Sequence, residues 1–459
     1  MAYCGYVVKV EHLRKHTNAD RLQIATFFGN DTIVSLDTHV GDIGIYFPVD
    51  GQLSERFCTV NDLVRRKDEN GKQIGGYLDP DKRNIKALKL RGEKSDGLYL
   101  PITCLADFCK ISDLKIGDTI DTVNGELICQ KYIPKQSRIP GAPGSKAAKK
   151  AKANIAPTFY EHVDTAQLAY NLNAFKPGDT VQLTLKMHGT SGRTGYLPLI
   201  HTKQSWFDKL FHRHGKDYME YGYITGTRRV VLDGKRSGGF YDSDDFRMAM
   251  AAKFENKLRK GEVVYYEIVG FQGPDGAPIM SQVANIKVKD PEFTKLYGDT
   301  TTFAYGCDQH GPWEETTTEA PCCEVYVYRM TMVNEDGDVV EYSPAQIKER
   351  CEQMGVHTVM EFETFVIPQE MRKLDDNGDI VNMTAGEYVL RMVEKYFDGP
   401  DPIGKTHVRE GVVARILNRS NFAVYKHKNF SFKVLEGIAK DEATAPDMEE
   451  AQEIMNDES

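Results

Sequence analysis

Leu183-Thr184-Leu185-Lys186-Met187-His188-Gly189-Thr190 is an apolar run that ends in a lysine, a histidine and a glycine. A lysine at the end of a buried strand is desolvated. Desolvation disfavours the ammonium, lowers its pKa and makes the amine available as a nucleophile. Gly189 lets a phosphate, or the chain itself, approach closely. Taken alone, the tetrapeptide reads better as a surface lysine at a strand end before a turn. Three stretches downstream carry the other groups such a lysine would need.

In Tyr223-Ile224-Thr225-Gly226-Thr227-Arg228-Arg229, small residues precede paired arginines at a strand end. That pattern can present a guanidinium to a phosphate or ribose. In Val263-Val264-Tyr265-Tyr266-Glu267-Ile268-Val269-Gly270, apolar flanks predict a strand buried on both faces. A carboxylate there needs a cation, a ribose hydroxyl or a metal-bound water as partner. A structural ion pair is the other reading of Glu267. The last stretch is Arg409-Glu410-Gly411-Val412-Val413-Ala414-Arg415, followed by Val424-Tyr425-Lys426-His427-Lys428. Lys426 and Lys428 are two apart, so a strand points both to one face. They repel each other unless an anion lies beside them, and a triphosphate would suit. A solvated lysine edge that blocks strand pairing is the alternative.

The chain has 459 residues, enough for two or three domains. No apolar run approaches the length of a membrane span, and MAYCGYVVKVEHLRK lacks a signal-peptide layout, so a cytoplasmic location is expected. Nine scattered cysteines without a C-x-x-C pair read as free thiols. The net charge of −9 is misleading about partners. From Glu436 onward, nine acidic residues stand against Lys440, so the rest of the chain is close to neutral. The acidic end reads as solvated or disordered.

Residues 1–130 read as short strands separated by turns, the pattern of a small barrel or sandwich. Residues 131–156 form a Pro/Gly/Lys-rich linker with no acidic residue. Its lysines, Lys146, Lys149 and Lys150 among them, are candidate phosphate contacts. Residues 157–440 are mixed. DDFRMAMAAKFENKLRKG and SPAQIKERCEQMG predict amphipathic helices, the second stopped by Gly355. VVYYEIVGF, VYVYRMTMV, EGVVARIL and FAVYKHKNFSFKV predict strands. The stretch from His201 to Tyr223 looks like an insertion and reads as an amphipathic surface helix. Its interleaved aromatic and basic residues could also bind a strand.

In the order K-x-[HD]-G, arginine motif, E-x-x-G, E-G-V-V, K-x-K, these residues resemble the covalent nucleotidyltransferases, the polynucleotide ligases and mRNA-capping enzymes. KMHGTSGR looks most like the KxHGTN of RNA ligases that seal nicks in duplex RNA. VVKVEHLRKHTNADRLQIA, GDIGIYFPVDGQL and KALKLRGEKSDGLYLP resemble the N-terminal OB domain of one branch of ATP-dependent RNA ligases. The resemblance implies an α+β chain: an OB-fold β-barrel (1–130), the basic linker, an adenylyltransferase domain built on antiparallel sheets (157–440) and an acidic tail (441–459). It implies ATP and Mg2+ or Mn2+ as cofactors. The implied partner is RNA with 5′-phosphate and 3′-hydroxyl ends, including nicked RNA or RNA–DNA duplex, with no membrane and a monomeric protein.

Carried over residue by residue, the resemblance makes Lys186 the residue that forms lysyl-AMP. Thr184, Leu185, His188 and Gly189 belong to its nucleotide site. Arg228 would contact ribose or phosphate, with Arg229 as competitor. Glu267 would bind ribose or a metal-bound water, Glu410 would organise the metal, and Lys426 and Lys428 would contact phosphates. Tyr328 would stack on the adenine, with Phe303 as the alternative. Ser191 stands where the nick-sealing relatives have Asn. Arg193 lies further from the lysine than in the usual K-x-D-G-x-R form, which puts a ribose contact in doubt. A DNA ligase or capping guanylyltransferase is the nearest alternative, although most of these carry an OB domain after the transferase domain. A non-catalytic OB-type RNA-binding protein is the alternative of another class.

Overall fold

The computed structural model describes residues 3–67, 73–76, 78–132, 156–162, 165–203, 216–228, 231–232, 245–334, 336–374, 378–419 and 422–441. The candidate linker contacts Lys146, Lys149 and Lys150, the competitor Arg229 and the tail after Asp441 lie outside those residues. The chain is α+β and rich in sheet, with few and short helices.

Two largely antiparallel sheets organise the chain from residue 166 onward. The first has five strands in the order Ala166–Gln167, Ala423–Lys428, Gly411–Ile416, Thr180–Lys186, Glu361–Val366. The second follows the order Val231–Leu232, Lys216–Gly226, Thr190–Lys203, Glu262–Gly270, Cys323–Val333, Val339–Glu341. His357–Thr358 joins Cys323–Val333 in parallel, and Ala166–Gln167 is likewise a parallel addition to the first sheet. Lys186 is the last residue of one sheet and Thr190 the first of its strand in the other. The Met187-His188-Gly189 turn is therefore the corner between them.

Strand alternation sorts the first sheet into two faces. Val181, Leu183, Val412, Ala414, Ile416 and Ala423 point to a core that also receives Val389, Met392 and Val393 from the helix Ala385–Glu394. The residues between them point the other way. The partners Lys186↔Gly411, Thr184↔Val413 and Gln182↔Arg415 continue into Val413↔Lys426 and Gly411↔Lys428. Directly opposed residues share a face, so the register sets Lys186, Lys426 and Lys428 side by side.

In the second sheet every residue of Glu262–Gly270 is buried, as its apolar sequence predicts. The helices Asp245–Ala252 and Pro344–Met354 pack Phe246, Met250, Ile347 and Cys351 against it. Pro344–Met354 begins with a capping box of Ser343 and Gln346 and ends at Gly355 in the left-handed region, where the sequence stops it. The helix Asp245–Ala252 is shorter than its periodicity predicts. The surface-helix reading of 201–223 is overturned where the chain is described. Thr190–Lys203 and Lys216–Gly226 are one long hairpin paired up to Lys203↔Lys216, and Trp206, Phe207, Phe211 and Arg213 lie outside the described residues.

FAVYKHKNFSFKV is not one strand. The strand ends at Lys428 and a helix, Phe430–Asp441, begins at once. Asn429 caps it, its side-chain oxygen accepting from the Phe432 amide at 3.1 Å. Phe430, Phe432 and Val434 recur at spacing two, which imitates a strand; the cap decides otherwise.

Residues 3–132 form a four-stranded sheet (Leu98–Pro101, Ile43–Phe47, Gly5–Lys9, Thr119–Ile120), a three-stranded sheet (Leu13–Lys15, Leu22–Phe27, Asn30–Ser35) and several hairpins. Among the described residues these ladders do not join into one closed barrel. The segment packs on the rest of the chain. Tyr6 stacks on Tyr170 at 5.1 Å, and Lys433 of the last helix pairs with buried Asp96. All nine cysteines are free thiols, and no helix of the described residues is long and apolar enough to cross a membrane.

Glu262 is fully buried and anchors the far end of the strand that carries Glu267. It accepts from Arg350 Nε and Nη2, both at 2.8 Å, from Tyr342 Oη at 3.0 Å and from the Arg259 amide at 2.8 Å. Glu262→Ala leaves the buried Arg350 guanidinium without its carboxylate, with only Gln353 and the Lys257 carbonyl to accept from it. A loss of about 3–5 kcal/mol in urea-unfolding free energy is expected, and Glu262→Met with Arg350→Met should recover most of it.

Candidate active site

A cavity of about 720 Å³ lies between the two sheets. Thr184, Leu185 and Lys186 form part of its floor, Val413 and Val424 continue it, and Glu267, Tyr328 and Arg228 come from the second sheet's side. Residues distant in sequence are thus brought together at one place, with Lys186 at the end of its strand.

Lys186 does not stand alone there. Its Nζ is 2.9 Å from Glu410 Oε1, and the Lys428 Nζ is 3.3 Å from the same oxygen. Glu410 is 2% exposed and Lys186 19%. Burial alone would push the Glu410 carboxyl up; Lys186 and Lys428 outweigh it and hold the group below the usual carboxylate range. Lys186 is therefore ion-paired as well as partly buried. Lys428 is also held by Glu436, at 2.8 Å from each carboxylate oxygen. Glu436, counted with the acidic end in the sequence, is part of this ion cluster and is not a solvated tail residue.

The Lys-x-His-Gly corner is fixed from behind. A Cβ on Gly189 would lie 2.4 Å from the Ile268 carbonyl oxygen and 2.9 Å from Glu267 Cγ, so it is the chain itself that needs the glycine. The His188 amide donates to Tyr305 Oη at 2.6 Å, and its ring lies edge-on between Phe303 (4.7 Å) and Phe432 (4.8 Å). Burial pushes the His188 imidazole down, towards the neutral form. His188 and Gly189 therefore shape the corner and do not line the cavity. Tyr305 has φ 49°, a strained left-handed conformation for an aromatic residue. The sequence gives no sign of its role beyond its nearness to Phe303.

Phe303 is buried against His188, His407 and Phe432, away from the cavity. Tyr328 does line it, for a structural reason. Tyr265 pairs with Arg329 and Tyr266 with Val327, which leaves Tyr328 as the extra residue of a β-bulge. Bulges re-aim side chains. The Tyr328 hydroxyl lies 3.2 Å from Ser191 Oγ, and its ring is 5.2 Å from His162. Burial, with Arg228 and Arg329 nearby, pushes His162 well below its ordinary value.

Arg193 does not face the cavity. It is buried and donates to the carbonyls of Thr227 (2.8 Å), Phe159 (3.2 Å) and Tyr160. It ties residues 159–160 to the strand end from which Arg228 reaches the cavity. Lys426 shares the face of Lys186 and Lys428 but lies outside the cavity lining, as do Glu410 and Lys428. The cluster around Glu410 therefore sits beyond the cavity, behind Lys186.

No protein-family model matches the sequence, and no curated protein does. Solved structures are similar. A mutant of Naegleria gruberi RNA ligase with AMP and Mn aligns with TM-score 0.51 and 14% identity, over 94% of this chain and 97% of that one. The same organism's RNA ligase with PPi aligns with TM-score 0.51 and 14% identity, over 93% and 97%. This chain shares the fold of that RNA ligase. Coverage of 94% is too large to leave out either half of the chain, and at this identity the alignment speaks to the fold alone.

Gly189→Ala forces the corner away from Ile268 and Glu267. The expected cost is about 1–3 kcal/mol or more, the range for overpacked sites, read by urea unfolding. His427, on the opposite face from the two lysines, gives a pH test. Burial, with Lys433 adding to it, pushes its imidazole down to about 3. The unfolded chain binds that proton near pH 6.5 and the folded chain does not, so stability is lost as pH falls between those values. At pH 5 the loss relative to pH 8 is about 2 kcal/mol. In His427→Phe this part of the pH dependence should vanish.

Proposed function

We propose that this chain is an ATP-dependent RNA ligase that joins 5′-phosphate to 3′-hydroxyl ends through a lysyl-adenylate. The observation that carries the reading is the Lys186–Glu410–Lys428 cluster at the end of a cavity large enough for a nucleotide. The fold shared with an RNA ligase supports it, as does the ATP, AMP and Mn that the neighbour's structures hold.

In the first step the Lys186 amine attacks the α-phosphorus of ATP. The N–P bond forms as the bond to pyrophosphate breaks, and the amine's proton is lost. AMP then passes to a 5′-phosphate, and a 3′-hydroxyl displaces it to close the phosphodiester. Tyr328 offers a face for the adenine and Arg228 a guanidinium for ribose or phosphate. Lys426 and Lys428 stabilise the phosphates and the leaving pyrophosphate.

The residues also fit a divalent cation. Among the described residues Glu410 Oε2 is buried with no hydrogen-bond partner, and a carboxylate oxygen is the hard donor that Mg2+ or Mn2+ takes. Among the described residues no group of three or more His, Cys, Asp or Glu could hold a metal. That suits an ion bound by one or two carboxylates together with substrate phosphates. Glu410 would hold it, with Glu267 directly or through water, and the ion would neutralise charge on the α-phosphate. In the same reading residues 1–130 form an OB domain. With the basic linker, that domain grips RNA, including nicked duplex.

Lys186→Ala should abolish transfer of label from α-labelled ATP to the protein, read on a denaturing gel. Glu267→Ala and Glu410→Ala should each slow sealing of a nicked RNA duplex by about a hundredfold or more, the scale of losing a preorganised charge at such a site. A Lys186→Ala protein that labels like wild type sinks the reading, and better labelling by GTP than by ATP turns it towards capping chemistry.

A further inference from the structure

We infer that Glu436 is a positioning residue for Lys428, an inference that rests on the ligase reading above. The ammonium of Lys428 has three protons, and the geometry gives each an acceptor. Both Glu436 oxygens lie at 2.8 Å and Glu410 Oε1 at 3.3 Å. The shorter, two-point hold is on Glu436. It keeps Lys428 from closing fully on Glu410, the carboxylate that Lys186 also needs. Without Glu436, Lys428 loses that two-point hold, and its remaining pull on Glu410 competes with that of Lys186. With Glu436, the two cations stand at separate, defined points, one at the attacking end and one where phosphate charge must be met.

Glu436 can do this because its helix is held rigidly. Asn429 caps the N-terminus directly after the lysine strand. Phe432 is buried against the rings of His188 and Phe303. On the N-terminal segment's side, Lys433 pairs with Asp96 and the Lys94 ammonium sits 5.0 Å from the Phe430 ring centre. The Glu436 side chain is 12% exposed, so its attraction for Lys428 is poorly screened. Glu436 does not touch the reacting atoms; it acts through Lys428.

The test is a mutant cycle on the full chain, read by single-turnover labelling with α-labelled ATP and by the affinity for inorganic pyrophosphate. Glu436→Ala should slow labelling on the order of tenfold and weaken pyrophosphate binding, while Glu436→Gln, which keeps an acceptor oxygen, retains more of both. Lys428→Ala combined with Glu436→Ala should be no worse than Lys428→Ala alone, because Glu436 has nothing left to position. Losses that multiply in the double variant, or a Glu436→Ala protein that behaves like wild type in both assays, overturn the inference. If the wild type itself takes no label from ATP, the ligase reading fails. The pyrophosphate cycle then still decides whether Glu436 acts through Lys428.

Discussion

A carboxylate buried between two lysines sets the terms for the rest of this molecule. Glu410 is almost without solvent, and leaving it uncompensated would cost several kcal/mol. Lys186 and Lys428 supply the compensation only if three strands meet in one register, Lys186 against Gly411 and Gly411 against Lys428. A slip of one residue would turn the lysines of the slipped strand, Lys186 or Lys426 with Lys428, into the apolar core around Val412 and Ala414. The ion cluster and the hydrophobic face therefore specify the same pairing, and each makes the other's alternative costly.

The corner at Met187-His188-Gly189 joins that sheet to the one carrying Glu267, and its rigidity follows from small contacts. Gly189 lets the corner lie against the Ile268 carbonyl, and Tyr305 receives the His188 amide from a strained backbone conformation. Strain of roughly 1–3 kcal/mol is tolerated where surrounding packing over-determines a residue, and Tyr305 is fully enclosed beside His407. The residues that read as ligand contacts in the sequence divide accordingly. Thr184, Leu185, Lys186, Arg228, Glu267 and Tyr328 reach the cavity, whereas His188 and Gly189 build its frame.

The buried strand Glu262–Gly270 was legible in the sequence because the all-apolar flanks of Glu267 admit few other readings, whereas the hairpin through 201–223 read as a surface helix. The spacing of Lys426 and Lys428 gave their shared face. Other features needed three dimensions. A bulge decides that Tyr328 rather than a neighbour faces the cavity, and a bulge leaves no mark in a run as uniform as VYVYRM. Asn429 did leave a mark, an N-cap residue, but the phenylalanines that follow at spacing two imitate a strand. With that segment read as strand, Glu436 counts only as one more acid of the tail. Arg193 lies further from Lys186 than the usual spacing, which put a ribose contact in doubt, and three backbone carbonyls do take its Nε and Nη1 donors.

The helix Phe430–Asp441 also changes how the two halves of the chain relate. Read along the sequence, residues 3–132 and the lysine chemistry are separated by a basic linker and look divisible. In space the last helix lies between them, with Lys433 on Asp96 and Glu436 on Lys428 three residues further on, close to one turn of the same helix. Asp96 is buried, so its pairing with Lys433 is a fixed contact and not a screened surface pair. A cut in the linker would remove one wall of the helix that holds Lys428. The two segments to which the sequence assigns different tasks thus share one structural element.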